Sequence, residues 1–236
     1  MWRRFLETFG FGRAAGRWVR AQGAELDFWR AVAREGYAGI PAAEFLERQQ
    51  RPQMLSAVDF LPVPRGAWRD ATVVEFGSGP AGVVEWIEAA RRIAVEPLVD
   101  EYRRLFPHLE RSAVEYLARS AEGPLPLPAA CADLVVCYNM LDHVADPGAV
   151  VAEMGRVARP GATLLFQVNV YADEAALRAK TGLHAELHPA SFTRASALAL
   201  LARHRFTPVR EQFRAEATPE TGEHFFLAAL VCEGPS

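Results

Sequence analysis

The sequence is nearly without lysine. Of 26 basic residues only Lys180 is one, and we read this as a bias of composition rather than of function. It also lacks a positive balance. The formal charge is −3, so the basic footprint of a nucleic-acid-binding protein is missing and no nucleic-acid partner is expected. Cysteine is scarce. Cys131, Cys137 and Cys232 form no C-x-x-C pair, and their odd number and scatter argue against a disulfide framework or a zinc site. Reduced thiols in a cytoplasmic protein are the expectation. No apolar run reaches the roughly 18 residues of a membrane helix, so no membrane span is expected. There is no internal repeat and no low-complexity tract.

What is present is a chain of 236 residues, half of them hydrophobic, enough to build a sizeable core. Arg3, Arg4, Arg13, Arg17 and Arg20 accompany Trp2, Phe5, Phe9 and Phe11 against one acid, Glu7. Such a start suits a surface helix packing its aromatics on the domain, a membrane-surface helix or a targeting segment. Residues 1–60 read as helices broken at Gly10–Gly12, Gly36–Pro41 and Pro52, with Leu26, Trp29, Val32 and Ala33 as an apolar stripe. Pro62, Pro64 and Gly66 mark a linker. We therefore divide the chain into a helical extension or lid, 1–60, and a domain, 61–236.

From Asp70 strands alternate with helices. Strands are expected at 71–76, 92–95, 114–118, 132–138 and 162–168, and two closing strands at 206–213 and 224–231. Helices are expected after Gly82 (Val83, Trp86, Ile87, Ala90), over 98–106, after the Asp146-Pro147 cap up to Pro160-Gly161, near 174–180 and over 192–204. The fold class is α/β: a Rossmann-like, doubly wound seven-stranded sheet with an antiparallel edge strand, plus the N-terminal helical extension.

Gly77, Gly79 and Gly82 spell G-x-G-x-x-G after the first strand. Glu96 ends the second strand, where a carboxylate can take both hydroxyls of an adenosine ribose. NAD and S-adenosylmethionine both carry that ribose. Glu75 separates them. A carboxylate beside the loop repels a diphosphate, whereas opposite charges about 4 Å apart attract by roughly 1–4 kcal/mol. The cationic S-adenosylmethionine is the better match, through direct attraction or through ordering of the loop amides.

E-F-G-S-G-P-A-G at 75–82 resembles the first motif of class I S-adenosylmethionine-dependent methyltransferases. A-V-E-P-L at 94–98, S-A-E-G-P-L-P-L-P at 120–128, A-D-L-V-V-C-Y-N-M-L-D-H-V at 132–144 and R-V-A-R-P-G-A at 156–162 resemble that family's later motifs, in order. The resemblance covers roughly residues 70–232 and implies S-adenosylmethionine as cofactor. It implies cofactor contacts at Glu75, Gly77, Ser78, Gly79, Glu96, Pro97, Ala121, Glu122, Asn139 and Met140. The adenine loop departs from the pattern: Ser120 stands where the family has Asp, so Glu122 or the backbone at Ala121 is expected to substitute.

The acceptor should meet the methyl near the end of the fourth strand. His143 is the candidate base there, with packing under the loop as its structural reading, and Asp142 could orient it. Adjacent Asp142 and His143 without further ligands do not make a metal site, so no metal is expected. His184 and His188 are candidate acceptor contacts. No D/N-P-P-Y/F follows the fourth strand and no paired-glutamate loop is present, so the acceptor is expected to be a small molecule methylated at O or N rather than C. A binding module without catalysis is the alternative, an NAD-dependent oxidoreductase a more distant one. A homodimer is compatible with the sequence.

Overall fold

A computed structural model describes residues 12–180, 188–218 and 221–234. The aromatic and basic residues at 2–11, and His184, lie outside them. Seven strands form one sheet: β1 Thr72–Phe76, β2 Arg91–Val95, β3 Glu115–Leu117, β4 Ala132–Tyr138, β5 Ala158–Val170, β6 Phe206–Ala217 and β7 His224–Cys232. Their order is β3-β2-β1-β4-β5-β7-β6. All pairs from β3 to β5 are parallel, and β7 is antiparallel to both of its neighbours. The antiparallel strand thus belongs to the edge hairpin, one place in from β6.

Among the described residues the helices are α1 Gly12–Glu35, α2 Ala42–Phe45, α3 Arg51–Asp59, α4 Val99–Leu105, α5 Pro147–Val157, α6 Glu174–Ala179 and α7 Arg194–Arg203. The expected break at Pro52 is not a break. A π turn, Leu46–Gln50, joins α2 to α3 and places Pro52 in the first turn of α3. A proline there lacks only an N–H that has little use, and the wider turn before it relieves the clash of its ring with the preceding carbonyls. α5 starts as the sequence implies, with the Asp146 carboxylate accepting from the Ala149 N–H. It ends at Val157, and Pro160-Gly161 lies in a bulged start of β5, where Gly161 has φ +83°.

The helix expected after Gly82 does not form. Only a 3₁₀ turn, Val83–Glu85, is present before β2. Length explains this. The eight residues 83–90 would rise about 12 Å as a helix. The five residues of β1 span about 17 Å. Because Thr72 pairs with Arg91, the return connection must cover that strand and so unwinds.

Side-chain alternation along the buried strands divides the core into two layers. Val74, Phe76, Ile93, Val95, Val135 and Cys137 face α5 and α7, through Val150, Val151, Met154, Val157, Ala197 and Leu201. On the other face, Val73, Ala94, Leu134, Val136 and Leu165 pack against Val83, Val84 and Ile87 together with Met54, Ala57 and Val58 of α3. α3 thus covers sheet that the short β1–β2 connection leaves open. α1 packs Trp29 and Val32 against Phe45, Leu46, Tyr102, Phe106, Leu109 and Ala81. It contacts both α4 and the Leu141–His143 turn after β4, and so lies across the carboxyl ends of the central strands.

Candidate active site

The site starts from period-two alternation. Phe76 points into the α5 layer, so Glu75 points to the opposite layer, beneath the 83–85 turn. Its carboxylate is 1% exposed. Oε1 accepts from the Val83 N–H at 3.1 Å and Oε2 from the Val84 N–H at 2.9 Å. Glu75 therefore orders the loop from below. Gly82 is required beside it, because a Cβ there would lie 2.5 Å from Glu75 Oε2.

Gly77 and Gly79 have φ +69° and +54°, the left-handed region that favours glycine. A Cβ on Gly77 would lie 2.1 Å from Met140 Cγ, so the Met140 side chain forms the floor of the loop. A Cβ on Gly79 would meet nothing within 4 Å, so here the backbone faces open space. The Gly79 N–H donates to Glu96 Oε2 at 2.9 Å, and the Leu98 N–H to Glu96 Oε1 at 2.9 Å. Glu96 thereby fixes both the loop and the entrance to α4, with Pro97 between its two partners. Buried Ser78 donates to the Gly79 carbonyl at 3.0 Å.

Two side chains that sequence reasoning missed, His108 and Glu25, complete this wall. His108 Nε2 lies 2.8 Å from the Pro80 carbonyl. Glu25 of α1 accepts from Trp29 Nε1 at 2.8 Å, and its charge acts on Glu96 and on buried Tyr102. They are far apart in sequence, and no local pattern marks them.

Burial raises both central carboxyls to about 7, against the opposing pull of their backbone N–H partners. A carboxyl whose folded pKa is raised stabilises the fold most below its unfolded pKa. That contribution is lost as pH rises from the ordinary 4.5 toward 7. Each group contributes at most roughly 3 kcal/mol. The ligand-free protein should therefore melt at a lower temperature at pH 8 than at pH 5, and Glu96→Gln should flatten the profile. A profile unchanged in both Glu96→Gln and Glu75→Gln would contradict this origin.

In the β3–β4 loop, Glu122 has partners of its own. Its Oε1 accepts from the Ala145 and Asp146 N–H groups at 2.5 and 2.7 Å, and Ser120 Oγ lies 3.2 Å from its Oε2. The carboxylate ties the β3–β4 loop to the start of α5, while Ala121 is buried beside it. Asn139 has φ +51°, donates its N–H to the Gln167 carbonyl at 3.0 Å, and is exposed.

Beyond Asn139 the structure brings His143 and His188 together. Their ring centroids are 4.5 Å apart. Both Nε2 atoms lie 3.9 Å from an oxygen of Asp142, whose side chain is buried. The segment carrying His188 is pinned in place. Lys180 Nζ donates to the His188 carbonyl at 2.6 Å, and the Ala190 N–H to the Asp142 carbonyl at 3.2 Å. Along the chain Asp142 and His143 are adjacent without a third partner, and the fold brings His188 to them.

Residues 74–166 match the family model described as a methyltransferase domain. Over 54 residues the chain is 43% identical to the ubiquinone biosynthesis O-methyltransferase of Hahella chejuensis (strain KCTC 2396), a stretch that covers 23% of each protein. The chain is thus matched over about a quarter of that relative's length. Among solved structures, geranyl diphosphate C-methyltransferase from Streptomyces coelicolor A3(2) superposes with a TM-score of 0.61 at 14% identity, over 79% of this chain and 80% of that one. The 1,6-didemethyltoxoflavin-N1-methyltransferase of Burkholderia thailandensis gives 0.53 at 19% identity, over 81% and 80%. At these identities the likeness is one of fold. Residues 74–166 thus match a methyltransferase domain, and the chain shares its fold with methyltransferases of known structure.

Proposed function

We propose that this protein transfers a methyl group from S-adenosylmethionine to a small-molecule acceptor, at oxygen or nitrogen. The observation that carries the reading is the pairing of two features at one end of the sheet. One is a glycine loop with open backbone at Gly79, held by a buried carboxylate. The other, past the end of β4, is a cluster of two imidazoles and a carboxylate. The first suits an adenosine ribose and a cationic sulfur centre. The second suits the loss of a proton from an acceptor.

Bound S-adenosylmethionine supplies a methyl group already activated by a sulfonium. The chain's own residues align and deprotonate. Glu96 takes the ribose hydroxyls on the lone pairs left by Gly79 and Leu98. Gly77, Ser78, Gly79, Pro97, Ala121, Asn139 and Met140 shape the remainder of the cofactor cleft, and Glu75 keeps the loop in register. His143 and His188 face the acceptor, and His143 promotes loss of its proton. α1 closes over the strand ends and keeps water from the reaction, as a lid does. The match to an O-methyltransferase sequence favours oxygen over carbon as the methylated atom.

Glu96→Ala should weaken S-adenosylmethionine by about tenfold or more, since a charge-assisted hydrogen bond contributes roughly 1.5–3 kcal/mol. Calorimetric titration checks this, and undiminished affinity in a folded variant would place the ribose elsewhere. Activity is tested by following S-adenosylhomocysteine release against phenol, catechol and amine acceptors. Tight NADH binding with none for S-adenosylmethionine would overturn the proposal.

A further inference from the structure

The Asp142 carboxylate is buried in a way that its surroundings leave incomplete. Its side chain is only 4% exposed, yet Oδ1 has no hydrogen-bond partner. A buried carboxylate oxygen without a donor is costly, because it has given up water for nothing. The nearest polar atom of His143, Nε2, stands 3.9 Å from Oδ1, beyond hydrogen-bond range. Nε2 of His188 stands at the same 3.9 Å from Oδ2. One ligating atom from each of the three residues falls within 4.8 Å of the others.

We propose that Asp142, His143 and His188 bind a divalent transition-metal ion. The donor set decides the class. Two imidazole nitrogens and one carboxylate suit Zn²⁺, Fe²⁺, Co²⁺ or Mn²⁺, whereas Mg²⁺ and Ca²⁺ prefer all-oxygen sites. Around a tetrahedral ion with bonds near 2.0–2.1 Å, donor atoms lie about 3.3 Å apart, so the 3.9 Å separations, each to a different Asp142 oxygen, shorten by about half an ångström and the widest separation, within 4.8 Å, by up to about 1.5 Å. The ion takes the place of the donor that Asp142 Oδ1 lacks. Three protein ligands leave a position open, as in catalytic rather than structural metal sites.

The backbone is built to hold the set. Asp142 and His143 sit on the 3₁₀ turn Leu141–His143, and the 188–190 segment is fastened to that turn through the Ala190–Asp142 bond. If methyl transfer goes to a hydroxyl, as the reading above has it, the open position receives the hydroxyl oxygen. The ion lowers the hydroxyl's pKa and the proton leaves to solvent before the new O–CH₃ bond forms. His143 then acts as a ligand of the ion rather than as the base itself.

The test uses the full chain without an affinity tag, stripped with a chelator and titrated with CoCl₂. Ligand-field absorption and metal analysis give the stoichiometry, and calorimetry with S-adenosylhomocysteine is run on the same samples. One cobalt per chain is expected. His188→Gln and Asp142→Asn should each weaken it by more than the 10–100-fold that follows loss of an outer-shell partner. Both should bind S-adenosylhomocysteine as the unaltered protein does. Should the buried Asp142 variant fail to fold, the half-buried His188 variant decides. Absence of cobalt binding, or binding unchanged in His188→Gln, overturns the metal site and leaves the methyltransferase reading standing. Cobalt binding without S-adenosylhomocysteine binding would do the reverse.

Discussion

Replacing Glu75 by alanine is expected to lower the melting temperature by about 10 °C. The reasoning runs through two amides rather than through the ligand. Val83 and Val84 are fully buried, and their N–H groups have the Glu75 carboxylate as acceptor. A buried donor left without a partner costs roughly 1–3 kcal/mol, and removing one member of a buried charged set typically costs 3–5 kcal/mol. In a chain of this size each kcal/mol moves the melting temperature by about 2–4 °C. Glu75→Gln keeps one carbonyl acceptor but turns an NH₂ group toward an N–H, so it should fall between alanine and the native residue. Circular dichroism melts check the series. An alanine variant that melts within about 2 °C of the native protein would mean that the loop finds other acceptors, and Glu75 would lose its role as the loop's anchor.

His143→Ala should reduce turnover by roughly 10²–10⁴-fold, the range for loss of a group that assists proton transfer. The affinity for S-adenosylhomocysteine should stay near that of the native protein, since the hydrogen bonds that hold the glycine loop and Glu96 do not run through this ring. The side chain is 19% exposed, so truncation leaves a surface notch more than a core cavity. A folded variant with native turnover would remove the Asp142–His143–His188 cluster from the chemistry. A large loss of S-adenosylhomocysteine affinity would instead make His143 part of the cofactor wall.

Sequence reasoning was most accurate where burial is two-sided. The sequence reading of Ala132–Tyr138 matches the strand to the residue, because the apolar run Leu134–Tyr138, bounded by turn residues, admits one strand. Asp146-Pro147 marked the start of α5 through its cap chemistry. Local periodicity misled after Gly82. Val83, Trp86, Ile87 and Ala90 have helical spacing, but the distance back to Arg91 is set by β1 and not by the residues between. Pro52 misled for a related reason: a proline punctuates a helix unless a wider turn precedes it, and the π turn has no marker in the sequence. In the site, the glycines and Glu96 were legible because backbone conformation and strand ends are local properties. Glu75 was singled out, but which of its two readings fits depended on the layer it faces. His188 beside Asp142 was not legible as a partner, since only the return of the chain after β5 brings it there.

The placement of α3 has a consequence for the order in which the molecule is assembled. Met54, Ala57 and Val58 cover a face of the sheet that also includes Leu227 and Ala229 of β7, the last strand made. During synthesis α3 emerges before the sheet, yet the surface it caps is finished only once β7 has been made. Contacts between segments this distant in sequence close large loops and form late. Until then the apolar side of α3 and the valines of β1 have no permanent neighbour, which is the stage at which a nascent chain is most exposed to aggregation. A shortened crossover between the first two strands thus makes the covering of the sheet by α3 wait for β7.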